Sequence, residues 1–123
     1  MSLKYYSPTK IRGDTILIPV SWVDSESTPI PFIQRKVRLS VRQYEDDDTT
    51  LFNKNSDDHP NAIKIKEVLD PQAVGLLEIL ITSEESSAFP IGDLPYNLEV
   101  TDLDGFVRTI LRGRLNMIYD VTR

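Results

Sequence analysis

The chain has 123 residues, 14 basic and 19 acidic side chains, a formal net charge of −5, and no cysteine. This length fits a single domain over 1–123 that buries roughly two-thirds of its unfolded surface without staples. The absence of thiols excludes disulfides, thiolate metal sites and cysteine nucleophiles. The acidic balance argues against a general grip on nucleic acid, no apolar run approaches the ~18 residues of a membrane span, and "MSLKYYSPTKIRGD" lacks the apolar stretch of an export signal.

Residues 1–11 read as an arm ahead of the first strand, which leaves Tyr5 and Tyr6 free to meet a partner. In "TILIPVSWVD" a period of two puts Ile16, Ile18, Val20 and Trp22 on one face. Pro19 cannot donate to a ladder, so this strand is expected at a sheet edge or bulged there. After a turn at "STPIPF", "FIQRKVRLSVRQYE" alternates again, with Ile33, Val37, Leu39 and Val41 inward and Lys36, Arg38, Ser40 and Arg42 outward.

The alternation is lost over 45–61, which reads as a long acidic loop with room for a short strand at Thr50–Phe52. Next come "NAIKIKEVLD", with Ile63 and Ile65 inward, and "GLLEILIT", apolar on both faces and therefore expected as a central, doubly covered strand or one with a partner chain outside. "SEESSAFP" is the one helical turn, with Ser83 as its N-cap. The last two strands are "LPYNLEVTD" and "GFVRTILRGRLNMIYDVT". About seven strands and at most one short helical turn predict an all-β protein, an antiparallel β-sandwich of Ig-like type, with a barrel as the lesser option.

Asp102-Leu103-Asp104-Gly105 links those last strands and raises the question of a calcium loop. An EF-hand needs oxygen ligands at alternating positions and a closing glutamate; here Phe106, Val107, Ile110 and Leu111 follow instead. A turn is expected, and side-chain phase chooses its form. A three-residue loop would set Val100 opposite Arg108, in the core. A two-residue type I′ turn through Asp104 and Gly105 sets Val100 opposite Thr109, Leu98 opposite Leu111, and Tyr96 opposite Gly113, and keeps the arginines out. Gly113 then lies under the Tyr96 ring, and a bend or bulge is expected there.

No other constellation points to chemistry. Asp46, Asp47, Asp48, Asp57, Asp58 and His59 match no metal-loop spacing, and His59 has no nucleophile elbow beside it. The expectation is a non-enzyme with no metal and no cofactor. Of the aromatic residues that could stack a sugar (Trp22, Tyr5, Tyr6, Tyr44 and Phe52), Trp22 is in phase with the core. Leu76, Leu80, Ile110 and Ile118 fall on outward faces and, with Tyr5 and Tyr6, are expected at an interface.

The order of these features resembles a known family. "RGDTILIPVSWVD" with Gly13-Asp14-Thr15, a prolyl turn, "VRLSVR", a middle strand pair, "YNLEVTDLDGFVRTILRG" and a closing "DVTR" are similar to the small β-sandwich domain at the start of bacteriophage tail-fibre, baseplate and receptor-binding proteins. Tyr96, Leu98, Glu99, Thr101, Asp102, Asp104, Gly105, Arg108, Thr109 and Gly113 fit that family's later motif. The first turn departs from it, reading "DSESTPIP" in place of D-G-x-P, and 45–61 reads as an insertion. The resemblance implies a structural protein of the virion, made in the host cytoplasm and placed in the phage tail. Its partners would be other tail or baseplate proteins and further copies of itself. Because the chain stops at Arg123, where a fibre protein would run on into its shaft, an anchoring or adaptor role is expected before receptor binding. The alternative is a carbohydrate-binding module that contacts host glycans through Tyr44 and Phe52.

Overall fold

Alternating apolar residues assemble into strands β1 (Lys4–Tyr5), β2 (Thr9–Ile11), β3 (Ile16–Ser21), β4 (Lys36–Val41), β5 (Phe52–Asn55), β6 (Ile63–Ile65), β7 (Leu76–Ile81), β8 (Gly92–Thr101) and β9 (Val107–Ile118). A single 3-10 turn spans Lys66–Val68, and helix α1 spans Ser83–Ser87. The computed structural model describes residues 4–46 and 48–119; Asp47, Val121 and the closing "DVTR" motif lie outside them. The protein is mostly β, with one sheet of six strands and one of three.

The larger sheet runs β1-β9-β8-β4-β5, with β2 also on β9, and the smaller runs β3-β7-β6. Their inner faces share one core. Ile16, Ile18, Ile63, Leu77, Ile79 and Ile81 come from the small sheet, and Val37, Leu39, Leu94, Leu98, Val100, Leu115 and Met117 from the large one. Each side chain of this size contributes about 1.5–3 kcal/mol when fully buried. Trp22 and Phe32 close one end of the core with ring centroids 5.2 Å apart. As its proline requires, β3 is an edge strand, with Pro19 opposite Glu78.

The antiparallel expectation needs correction, because the large sheet is mixed. The N-terminal arm lies parallel to β9, with Lys4 opposite Leu111, Tyr5 opposite Arg112, and Thr9 opposite Asn116. Between β1 and β2 the arm bends inward over Gly113. The Tyr6 carbonyl turns to accept from the Tyr96 hydroxyl, and Ser7 Oγ takes the Arg114 N–H at 3.1 Å. A Cβ on Gly113 would stand 1.9 Å from the Tyr6 carbonyl oxygen, so only glycine fits beneath the arm.

The hairpin also differs from the expected two-residue turn. Asp102 N–H bonds Phe106 O at 2.8 Å and Gly105 N–H bonds Asp102 O at 2.9 Å, which makes Leu103, Asp104 and Gly105 a three-residue loop. Gly105 sits at φ +87°, the left-handed position such a loop needs. Val100 therefore pairs with Arg108. The arginine stays out of the core because the Asp102 carboxylate holds it at 2.7 Å at the end of the sheet. A bulge between Leu98 and Glu99 then absorbs Ile110 as an extra residue, so that Leu98 meets Leu111 and Tyr96 meets Gly113, as the side-chain phase required. The bulge lies three residues before the glycine at which it was expected.

Three smaller corrections follow. The short strand expected within 45–61 lies at Phe52–Asn55 in place of Thr50–Phe52 and pairs with β4 as β5, and the Asn55 side chain then accepts from Asp57 and Asp58 N–H to close an ordered turn. Ile33 is not inward. A turn in which Arg35 N–H bonds Phe32 O delays β4 to Lys36, so Phe32 is buried in its place. The cap of α1 is Thr82, one residue before Ser83, because Thr82 and Glu85 satisfy each other's backbone N–H in a capping box.

Candidate functional site

The topology brings several chain turns to one pole of the molecule. Lys36 pairs with Thr101, and Thr101 with Val107, so β4, β8 and β9 all meet this end of the large sheet. Ser21 pairs with Leu76 at an end of the small sheet. Two contacts bring these ends together. The Arg35 guanidinium lies 5.6 Å over the Trp22 ring, and the buried Glu67 carboxylate accepts the backbone N–H groups of Phe32 and Ile33.

At the centre of the pole is Asp102, whose side chain is only 11% exposed and binds Arg35 Nε at 3.0 Å and Arg108 Nε at 2.7 Å. Two guanidinium groups satisfy one carboxylate, and the hairpin is thereby fastened to the turn before β4. A cleft of about 260 Å³ opens beside it between Trp22, Ile30 and Leu103. Asp102 is thus a structural anchor. Asp104 Oδ1 accepts from Phe106 N–H at 3.2 Å within the turn.

Around this polar centre, exposed apolar side chains stand among charged ones such as Lys36, Asp104 and Arg108. Leu103, Phe106 and Val107 project from the hairpin with 66%, 68% and 59% exposure. Val68 and Leu69 follow Glu67 and are exposed, as are Ile33 and Leu76. Half of the large exposed hydrophobic side chains among the described residues therefore sit at one end. Scattered surface apolar residues are ordinary, and a concentration of them at one end is less so.

Of the residues expected at an interface, Tyr5, Tyr6, Leu76 and Ile118 are exposed. Leu80 is half-buried opposite Leu17. Ile110 is 5% exposed, because the bulge turns it inward beside Leu111. The structure does not unite this set: Leu76 lies at the pole, Tyr5 and Tyr6 lie on the arm, and Ile118 lies at the other end of β9 opposite Ile11. β7 is central, yet its outward face is only partly covered. Sequence reasoning missed Leu103, Phe106 and Val107. Their signal was available, since apolar residues flanking an Asp-Gly turn have no core to enter.

A second, polar surface lies on the outer face of the large sheet. There a cleft of about 720 Å³ is lined by Arg42, Asn97, Thr109, Arg112, Arg114 and the arm residue Tyr5. Cross-strand register places Arg112 between Asn97 and Tyr5. Arg114 lies beside Pro95, whose carbonyl accepts from Arg42 N–H. The Glu45 carboxylate reaches in from the loop after β4 and takes Arg114 Nη2 at 2.6 Å.

Among the described residues no three His, Asp or Glu side chains converge as a metal site. His59 Nδ1 accepts from Asn55 N–H at 3.3 Å, a turn contact. Tyr96 is the group whose ionisation shifts most clearly: burial pushes its hydroxyl well above the usual phenol range, and Tyr6 adds to the effect. No family model matches the chain, and no curated protein matches it.

Proposed function

We propose that this chain is a non-catalytic structural protein of a bacteriophage particle, in the tail, baseplate or fibre-attachment region, and that it works through protein–protein contacts. The observation that carries the reading is the pole at which Leu103, Phe106, Val107, Val68 and Leu69 stand exposed around the Asp102 anchor. Apolar side chains on a hairpin tip add nothing to the chain's own core, and covering them in an assembly recovers hydrophobic free energy. The motif from Tyr96 to Gly113 supports the placement in a phage particle by its resemblance to tail domains. The Ig-like sandwich belongs to the same reading, supported by two sheets that share one core.

The test has two arms. Mass spectrometry of purified particles from a host expressing the chain looks for it among the tail components. Sedimentation of the purified protein, alone and mixed with tail proteins, compares the wild type with Phe106→Glu and Leu69→Glu. Incorporation into particles, with association abolished by either substitution at unchanged thermal stability, is expected. Absence from particles together with a strictly monomeric protein that ignores tail proteins would sink the proposal. The glycan reading built on Tyr44 and Phe52 loses one member, since the Phe52 ring is buried edge-on against Phe89.

A further inference from the structure

We infer that the arginine-lined cleft on the outer face of the large sheet is a binding site for an acidic saccharide whose carboxylates pair with Arg112 and Arg114. The inference does not depend on the apolar pole. In a chain of net charge −5, Arg42, just after β4, and Arg112 and Arg114, on β9, line one cleft across β8. Successive outward residues of a strand lie about 7 Å apart and neighbouring strands about 5 Å apart. Arg112 and Arg114 therefore rise from one face far enough apart to meet two separate carboxylates of one extended ligand.

Three features specify the class. First, a carboxylate already occupies part of the site. Glu45 binds Arg114 at 2.6 Å, yet the two side chains are 61% and 47% exposed. Such an open pair contributes little, so a ligand carboxylate can replace it at small cost. Second, the Arg112 guanidinium has no hydrogen-bond partner among the described residues. It offers a planar fork suited to bidentate pairing with a carboxylate. Third, the remaining lining suits a hydroxylated ligand. Thr109 presents a hydroxyl and Asn97 its amide oxygen, its Nδ2 donating to Glu99 at 2.8 Å, and Tyr5, opposite Arg112, is 72% exposed and so open to the C–H side of a sugar. A volume of about 720 Å³ lies within the ordinary range for small-ligand sites.

The experiment titrates trigalacturonate into the intact protein at low salt. Maltotriose serves as the neutral sugar, glucose 6-phosphate as the phosphorylated one, and pentaglutamate as the acidic peptide. Calorimetry gives affinities and amide NMR shifts locate the site. Trigalacturonate is expected to bind at least about tenfold more tightly than the other three and to shift the amides of Thr109 and Arg112. Arg112→Gln is expected to weaken it about tenfold, the scale of one charge-assisted contact. Glu45→Gln is expected to strengthen it by freeing Arg114. A melting curve checks that Arg112→Gln folds. If it does not, Tyr5→Ala on the exposed arm carries the same test, with a severalfold loss expected. No binding of trigalacturonate, equal or tighter binding of any of the other three probes, or unchanged affinity in the folded variant overturns the inference.

Discussion

The Tyr96 hydroxyl donates a 2.5 Å hydrogen bond to the carbonyl of Tyr6, 90 residues away in the chain. Three residues share this contact. Tyr96 reaches from β8, Gly113 on β9 leaves the space, and the arm dips through that space to present its carbonyl. Gly113→Ala puts a methyl where the Tyr6 carbonyl stands and is expected to cost about 1–3 kcal/mol by displacing the arm. Tyr96→Phe leaves the Tyr6 carbonyl unpaired and is expected to cost about 1–2 kcal/mol. Because both act through one contact, urea denaturation of the double variant should show a loss well below the sum of the singles.

The same hydroxyl makes stability depend on alkaline pH. Its folded-state pKa lies above the ordinary tyrosine value of about 10 because burial disfavours the phenolate. The unfolded chain therefore loses this proton first as pH rises. The contribution is fully present below about pH 10 and declines above it. Denaturation midpoints measured from pH 8 to 11 should fall more steeply for the wild type than for Tyr96→Phe. Parallel curves would show that Tyr96 ionises alike in both states.

Asp102 is expected to behave as a fastening for the hairpin. Asp102→Asn removes the charge from a side chain that holds Arg35 and Arg108. Arg108 is half exposed, so its share is discounted for solvent screening. The expected loss is about 1–2 kcal/mol, accompanied by faster amide exchange at Phe106 and Gly105. Calcium should change neither quantity, in the wild type or in the variant.

A buried serine anchors the short helix. Ser86 Oγ donates to Asp14 O at 2.7 Å and accepts from Gly13 N–H at 3.0 Å, and the residue is fully buried. Ser86→Ala leaves both backbone groups without that partner and is expected to cost about 1–3 kcal/mol. Ser87→Ala, on an exposed residue of the same helix, should be close to neutral. Thermal unfolding of the pair separates the buried hydrogen bonds from helix propensity.

Much of this fold was legible because strand phase is a strong signal. The inward set of β3, the pairing of Tyr96 with Gly113, and the edge position forced by Pro19 all follow from a period of two and the geometry of proline. The turn departs from the two-residue form for a specific reason. By phase alone, keeping Arg108 out of the core requires a register shift, whereas Asp102 does it with an ion pair and Ile110 restores the phase by bulging. Both devices are tertiary and leave no periodic trace. The parallel arm was hidden for the same cause: "LKYYSPTKI" is too short and broken to read as strands, and only contact with β9 makes it so. The apolar pole depends on four separate segments meeting, which no local pattern records.

The parallel arm also bears on the order in which the chain can be assembled. Its partners on β9 stand 107 residues downstream. During synthesis the arm must wait, unpaired, until β9 has emerged. Closing so long a loop is entropically costly before any contact rewards it, and contacts of this separation slow folding. The arm should therefore dock late in folding and, being held by few ladder bonds, should be the first element to leave when the protein opens.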